Sequence, residues 1–405
     1  MTKYETDKHA GKDTAKNPAK NLGKNLGQNS VEQPIIMADI NAEIAGLVEI
    51  SRFAGERFDL VQAGGGNTSV KLEDGRVFVK ASGMALSEVA SESDFCLLEW
   101  RPLLDFIANC KSDSTTVQLE ADAKVAVAAA LTPGPRRPSI EALLHCLLGK
   151  YTLHTHPIAV AAFVCRKGWQ ETVREIFASS FPNYQDALFL VPYKTPGPAL
   201  AVALHQQLKT KQWQGGLAIV FLENHGLIVA GASKQIVMQV TNEVVDRLAS
   251  ALAFDLYHYK LVNFASALVN QVCGTQWLAY LSDDRVLADA FKQNAAYLLA
   301  PCATPDQLVY CGASGLALSD FDSPEAVQAV ADYLQRFGHP PKVIVSGEHI
   351  LLLGQSLRKC RESEEVLRSH VMLQMGGELA SMVYLEQDEV DYLSNWEAEK
   401  YRQTL

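Results

Sequence analysis

The sequence predicts an α/β protein with two ordered parts, and three observations carry that prediction. Stretches with apolar residues at helical spacing alternate with short apolar or alternating runs of strand type. Glycine, proline and Asn/Asp-Gly punctuation separates them at turn-forming points. Apolar residues make up 48% of the 405 and charged residues 20%, the balance of a folded globular chain. The length suffices for two or three domains of ordinary size.

Residues 1–36 stand apart. The stretch AKNPAKNLGKNLGQN is low in complexity, and six lysines there face only Glu5, Asp7, Asp13 and Glu32. With few large apolar groups the segment cannot offset the entropy of ordering, so it reads as a disordered basic tail, a solvated extension rather than a nucleic-acid arm. Its opening, MTKYETDKHAGKD, has acids and no apolar core and is no secretory signal.

Order begins near Ala38. Ile40, Ile44, Leu47 and Val48 share one face of a helix over 39–57. In AGGGNTSVKLEDGRVFVKASG, residues 63–83, alternation on both sides of Asp74-Gly75 predicts a β-hairpin entered by a glycine-rich loop. A helix over 117–130 follows. Pro133, Gly134, Pro135 and Pro138 then enforce a loop, and Ser139 can cap a helix over 140–149. YTLHTH is a short strand stopped by Pro157, and 217–231 reads as two buried strands around a turn at Asn224 to Gly226. A long helix runs from about Lys234 to Tyr259. From about 280 the reading is a helix at 284–299, a strand at Gln307–Tyr310, a helix at 324–337, strands at 342–346 and 350–353, and a helix at 355–375. No internal repeat at a fixed period is evident.

Several function classes are disfavoured. A net charge of −10 suits neither DNA nor an anionic membrane, and a phosphorylated ligand would need locally placed cations. The longest uncharged run, Leu261 to Ser282, holds Asn263, Asn270, Gln271 and Gln276, too polar for a membrane span. Eight scattered cysteines without a CxxC read as reduced thiols of a cytoplasmic protein.

Three segments can carry chemistry. In His154-Thr155-His156 the i, i+2 spacing of a strand points both imidazoles to one face, toward one ion, but two ligands leave a metal sphere incomplete. In Glu223-Asn224-His225-Gly226 a histidine ends an apolar strand; alone it reads as a turn residue bonded to its own backbone. In Pro138-Ser139-Ile140-Glu141 a carboxylate falls in the first turn of a helix, where the dipole favours it; the functional alternative is a general base beside a Lewis acid. His145, four residues on, is left without a role. Gly64-Gly65-Gly66-Asn67-Thr68-Ser69 is neither a dinucleotide fingerprint nor a P-loop, yet its amides and side chains suit an anion, with Ser82-Gly83 and Ser139 as further donors.

In this order and at these spacings, GGGNTS, KASGMAL, PSIEALLH, HTHP and ENHGLIVAG resemble the class II aldolase/adducin family, a resemblance that extends over 38–265. The likeness extends to the aldolase part of rhamnulose-1-phosphate aldolase/short-chain dehydrogenase fusions, without the dehydrogenase. PPKVIVSGEHILLLGQSLRKCRESEEV is similar to the linker module of those fusions. The resemblance implies an α/β/α sandwich over 37–265 with a mainly antiparallel central sheet, and a smaller α/β module of unassigned role over 280–405. It implies that His154, His156 and His225 hold zinc or another divalent metal such as manganese or cobalt, and that Glu141 is the acid/base. Asn67, Ser82, Gly83 and Ser139 are the implied phosphate holders. It further implies a homo-oligomer, a tetramer.

The implied activity is that of a cytoplasmic lyase, a metal-dependent aldolase in carbohydrate metabolism. It cleaves a ketose 1-phosphate or similar hydroxy-carbonyl compound through a metal-stabilised enediolate, with no nucleic-acid or membrane partner. A three-histidine metal keeps its charge largely unneutralised, worth several kcal/mol to a developing anion. The same apparatus serves a decarboxylase, dehydratase or epimerase acting on a sugar or its phosphate. A non-catalytic, adducin-like binding module is the reading from a different class; it has no need of three histidines and Glu141, and all four are present.

Overall fold

The structure is a computed structural model that describes residues 32–110, 115–274 and 276–395. The chain divides into Met1–Asn41 and Ala42–Leu405. In the first, the described part is the beginning of helix α1 (Glu32–Gly55), which opens at Glu32 instead of 39 and so enters the stretch read as tail. Residues 1–31 of that tail lie outside the described residues.

From Ala42 onward the architecture starts with the expected hairpin. Strands β1 (Asn67–Lys71) and β2 (Arg76–Lys80) pair around Asp74-Gly75, where Gly75 takes φ +94°. Then come β3 (Phe95–Glu99), α2 (Trp100–Asn109), α3 (Thr116–Ala130) and α4 (Ala142–Leu147). Helix α4 starts later than expected. Glu141 is its N-cap residue instead of lying in its first turn, and Ser139 Oγ accepts the Glu141 N–H at 3.3 Å. Next are β4 (Tyr151–Thr155), α5 (Ile158–Val164), α6 (Trp169–Ser180), β5 (Leu188–Val191) and α7 (Pro198–Thr210). Strands β6 (Ala218–Leu222) and β7 (Gly226–Gly231) follow, then α8 (Lys234–Ala251), which stops short of Tyr259 because Ala253 turns to φ +54°.

Among the described residues these strands form one seven-stranded sheet in the order β3-β2-β1-β4-β7-β6-β5, antiparallel except for β5 beside β6. Helices α2, α3, α4 and α7 bury one face against Val77, Val79, Leu98, Val191, Val220 and Ile228. Helices α5 and α8 pack on the other face, with α6 against α5. This is the mixed, mainly antiparallel sandwich expected.

The remaining elements are α9 (Leu261–Cys273), β8 (Leu278–Leu281), α10 (Arg285–Gln293), α11 (Ala296–Leu299), α12 (Pro305–Cys311), β9 (Leu316–Ala317), α13 (Pro324–Phe337), β10 (Val343–Ser346), β11 (His349–Gly354) and α14 (Leu357–Met375). Gln307–Tyr310, expected as a strand, is helical. Thr304 caps it by accepting the Gln307 N–H at 3.2 Å, and Pro305 takes the first helical position. The single helix expected at 284–299 breaks at Asn294.

The smaller sheet repeats half of the larger one. Its order β8-β11-β10-β9, with only β9–β10 parallel, matches β4-β7-β6-β5 in both order and direction. Each unit runs helix, strand, helices, strand, helix, hairpin, helix. Pro198 and Pro324 open the helix before each hairpin, and Ser233 and Ser356 cap the helix after it. Tyr151 pairs with Gly231 as Leu278 pairs with Gly354, so Leu281 stands where His154 stands in the first unit. Two residues further on, Asp283 takes the place of His156. The repetition is one of topology and does not conflict with the expectation of no repeat at a fixed period. The helices and turns differ in length between the copies, which removes any fixed period from the sequence.

Helix α9 lies against the end of α1. The Glu56 carboxylate accepts from Ser266 Oγ at 2.7 Å and Asn263 Nδ2 at 3.4 Å, and Arg52 donates to the carbonyls of Val89 (2.8 Å) and Gln276 (3.2 Å). Burial raises the Glu56 carboxyl from its ordinary 4.5 to about 8. Between those values the folded protein holds a proton that the unfolded chain has released. The stabilisation is therefore full below about 4.5 and is lost as pH rises through about 8. Wild-type Tm should fall between pH 6 and 9, by roughly 2–4 °C for each kcal/mol lost. Glu56→Gln, neutral throughout, should flatten that decline; an unchanged slope in its melting curves would refute the assignment.

Candidate metal centre

Strand β4 occupies the middle of the large sheet, and its pairing places the candidate residues. Asn67 pairs with His154, and His154 with Ile228, so all three side chains share the face covered by α4. His156 lies one residue beyond the strand. Its amide donates to the Leu60 carbonyl at 2.9 Å, and the Ile158 amide donates to that of Asp59 at 2.9 Å, which ties the exit of β4 to the segment before the glycine-rich loop. That segment is anchored by a buried two-pronged ion pair, with Arg57 Nε and Nη2 at 2.9 and 2.5 Å from the Asp59 carboxylate. Breaking such a pair by removing one partner costs roughly 3–5 kcal/mol.

His225 closes the β6–β7 turn. Its amide donates to the Leu222 carbonyl at 3.1 Å, and Asn224 supplies the left-handed residue at φ +53°. The strand start at Gly226 passes so close to β4 that a Cβ there would lie 2.3 Å from the Thr155 oxygen. Gly66, at φ +77°, likewise passes the His154 carbonyl, where a Cβ would approach to 2.9 Å. The glycine-rich loop thus packs against the histidine strand. Its closeness, and not only its amides, is what the glycines provide.

The three imidazoles converge. His154 Nε2 is 3.2 Å from His225 Nε2 and 3.2 Å from His156 Nε2, and the three ligand nitrogens lie within 4.8 Å of one another. His154 Nδ1–H donates to the Leu227 carbonyl at 3.1 Å, which turns the Nε2 lone pair toward the other two rings. Burial pushes the His154 imidazole down to about 3 and His225 to about 4, and lowers His156 as well, so all three rings are neutral donors near pH 7. Glu141 closes the fourth side. Its Oε1 lies 3.3 Å from His225 Nε2 and its Oε2 3.6 Å from His154 Nε2. Among the described residues Oε1 has no hydrogen-bond partner.

This donor set fits a divalent ion. Zinc binds imidazole nitrogen at about 2.0–2.1 Å in a tetrahedron, which puts neighbouring nitrogens about 3.3 Å apart, close to the spacing here. Lone pairs facing one another at that distance repel unless a cation lies among them. Among the described residues no other group of His, Cys, Asp and Glu forms such a cluster.

The four expected phosphate holders separate into two places. Ser82, Gly83 and Ser139 line one cleft of about 950 Å³. Asn67 is not among its lining residues; its Nδ2 donates to Glu141 Oε2 at 2.8 Å, beside the histidines. His145 is buried on α4 with Nδ1 2.8 Å from Ser69 Oγ, a contact to β1 and not to the triad. Arg136 and Arg137 also line the cleft, which sequence reading did not assign. The signal was present, since both directly precede Pro138-Ser139.

No helix among the described residues is long and apolar enough to cross a membrane. No curated protein matches the chain. Among solved structures it is similar to the N-terminal class II aldolase domain of a conserved protein from Thermoplasma acidophilum, with 22% identity over 58% of this chain and 100% of that one and a TM-score of 0.42. It is also similar to the L-fuculose 1-phosphate aldolase from Glaciozyma antarctica (14% identity, 57% of this chain, 78% of that one, TM-score 0.35). The L-fuculose-1-phosphate aldolase from Thermus thermophilus is a third (15% identity, 52% and 92%, TM-score 0.34). Residues 45–251, just over half of the chain, match the model of the class II aldolase and adducin N-terminal domain, and the chain belongs to that family.

Proposed function

We propose that this protein is a divalent-metal-dependent aldolase that splits a ketose 1-phosphate or a similar hydroxy-carbonyl compound into a carbonyl fragment and an aldehyde. The observation that carries this reading is the Glu141 carboxylate, within 3.3 and 3.6 Å of two imidazole nitrogens of a convergent triad, with one oxygen unpartnered. His154, His156 and His225 would hold the ion, zinc or else manganese or cobalt, and when bound it would act as a Lewis acid toward the substrate's carbonyl and neighbouring hydroxyl oxygens.

The protein's own groups account for the proton and the orientation. In the cleavage direction the substrate hydroxyl loses its proton, the carbon–carbon bond breaks to release the aldehyde, and the electron pair left on the ketone fragment takes up a proton. Glu141 Oε1 is free to carry that proton. Asn67 holds Oε2, so the carboxylate presents one oxygen and keeps the other fixed. The cleft at Ser82, Gly83 and Ser139 binds the substrate's phosphate at a distance from the reacting bond, where binding energy serves orientation. In the same reading the aldolase-type domain spans 37–265 beside a module of unassigned role at 280–405, in a cytoplasmic homotetramer.

Two outcomes test this. Purified protein should carry about one divalent ion per chain, and His154→Ala should remove it, as measured by elemental analysis. Wild type that stays metal-free after metal loading would defeat the proposal. Glu141→Gln should keep the metal and lose turnover by about 10²–10⁴-fold. Full activity in that variant would show that another group moves the proton.

A further inference from the structure

An acidic chain that takes a phosphorylated substrate must place positive charge locally, and the cations around the Ser82–Gly83 turn are unequal. Lys80 is buried, with its ammonium donating to the carbonyls of Ala81 and Met84. Arg136 is held by Asp94 Oδ1 at 3.0 Å and faces Met84 Sδ at 3.1 Å. Arg137 is exposed and has neither an ion pair nor a side-chain hydrogen bond to any described residue. Its place is nonetheless fixed by the backbone. Ala81 and Pro138 form an antiparallel bridge, and the Ser82 amide donates to the Arg137 carbonyl at 2.8 Å. Ser82 and Arg137 are therefore cross-strand neighbours whose side chains leave the same face, away from the buried Ala81.

We propose that Arg137 determines the substrate class: its guanidinium reads the phosphate of the substrate in the cleft between the Ser82–Gly83 turn and helix α3. This deepens the aldolase reading and rests on it. The remaining groups of the cleft suit a tetrahedral dianion. Ser139 Oγ already accepts the Glu141 amide, so its own O–H is left to donate. Ser82 Oγ and the Gly83 amide have no hydrogen-bond partner among the described residues. Lys124 adds, on α3, a second cation without an ion pair to any described residue, and among the described residues Glu120 is the one carboxylate lining the cleft. Donors thus come from separate segments, and a guanidinium adds a planar fork that a phosphate can engage with two oxygens. A flat carboxylate has too few oxygens to use the whole set.

The test compares wild type, Arg137→Gln and Arg137→Lys on a ketose 1-phosphate and on the same ketose without phosphate. R137Q should raise KM for the phosphorylated substrate by about 10–100-fold with kcat little changed, leave the unphosphorylated one unaffected, and be partly rescued in R137K. An equal loss on both substrates, or no loss, would overturn the proposal. A second readout does not depend on turnover. Inorganic phosphate should raise the Tm of wild type and of Glu141→Gln but not of R137Q, whose unliganded Tm should match wild type. Equal protection by malonate at matched ionic strength, or no protection of wild type by phosphate, would also overturn it. A wild type that stays metal-free after metal loading would defeat the aldolase reading while leaving this phosphate result standing.

Discussion

Neutral imidazoles facing one another at 3.2 Å do not hold themselves together. Their lone pairs repel, and each ring has been withdrawn from water. The arrangement persists because three separate parts of the chain impose it. The β1–β4–β7 register fixes His154, the Leu60 contact and the Arg57–Asp59 anchor fix His156, and the tight β6–β7 turn fixes His225. The surrounding features follow from that demand. Gly66 and Gly226 let backbone crowd the ligand strand, and the Leu227 carbonyl selects the tautomer of His154. Such preorganisation costs the apo protein stability and spares a bound ion the work of gathering its ligands.

Legibility from sequence followed how local each signal was. The hairpin around Asp74-Gly75, the strand ended by Pro157 and the paired strands around Asn224 are spelled by neighbouring residues, and each appears where expected. The convergence of His225 with His154 and His156 was accessible only through family resemblance, because His225 lies 69 positions after His156 along the chain. The Asn67–Glu141 contact was not legible at all, since it depends on the pairing of β1 with β4 and on Glu141 standing at the cap of α4. Gln307–Tyr310 misled for the opposite reason. Its Leu-Val-Tyr run has strand character, and the Thr304-Pro305 start that makes it helical is a weaker, positional cue.

Charge is distributed with similar economy. Around the Ser82–Gly83 turn, buried or half-buried cations are consumed by carbonyls or a carboxylate, and the side chains without partners lie where a ligand can reach them. The acidic remainder of the surface then disfavours anions elsewhere on the molecule.

The repeated half-sheet leads to a last consequence. Its hairpin turn has two residues, Gly347 and Glu348, where the first copy has three, and counted back from the equivalent strand positions Gly231 and Gly354 it is Glu348 that takes the place of His225. Leucine and aspartate occupy the places of the strand histidines. All three positions equivalent to the histidines are thus present in the second copy, filled by Leu281, Asp283 and Glu348. Among the described residues this polypeptide therefore carries a twinned frame with the ion-gathering imidazoles in one copy alone.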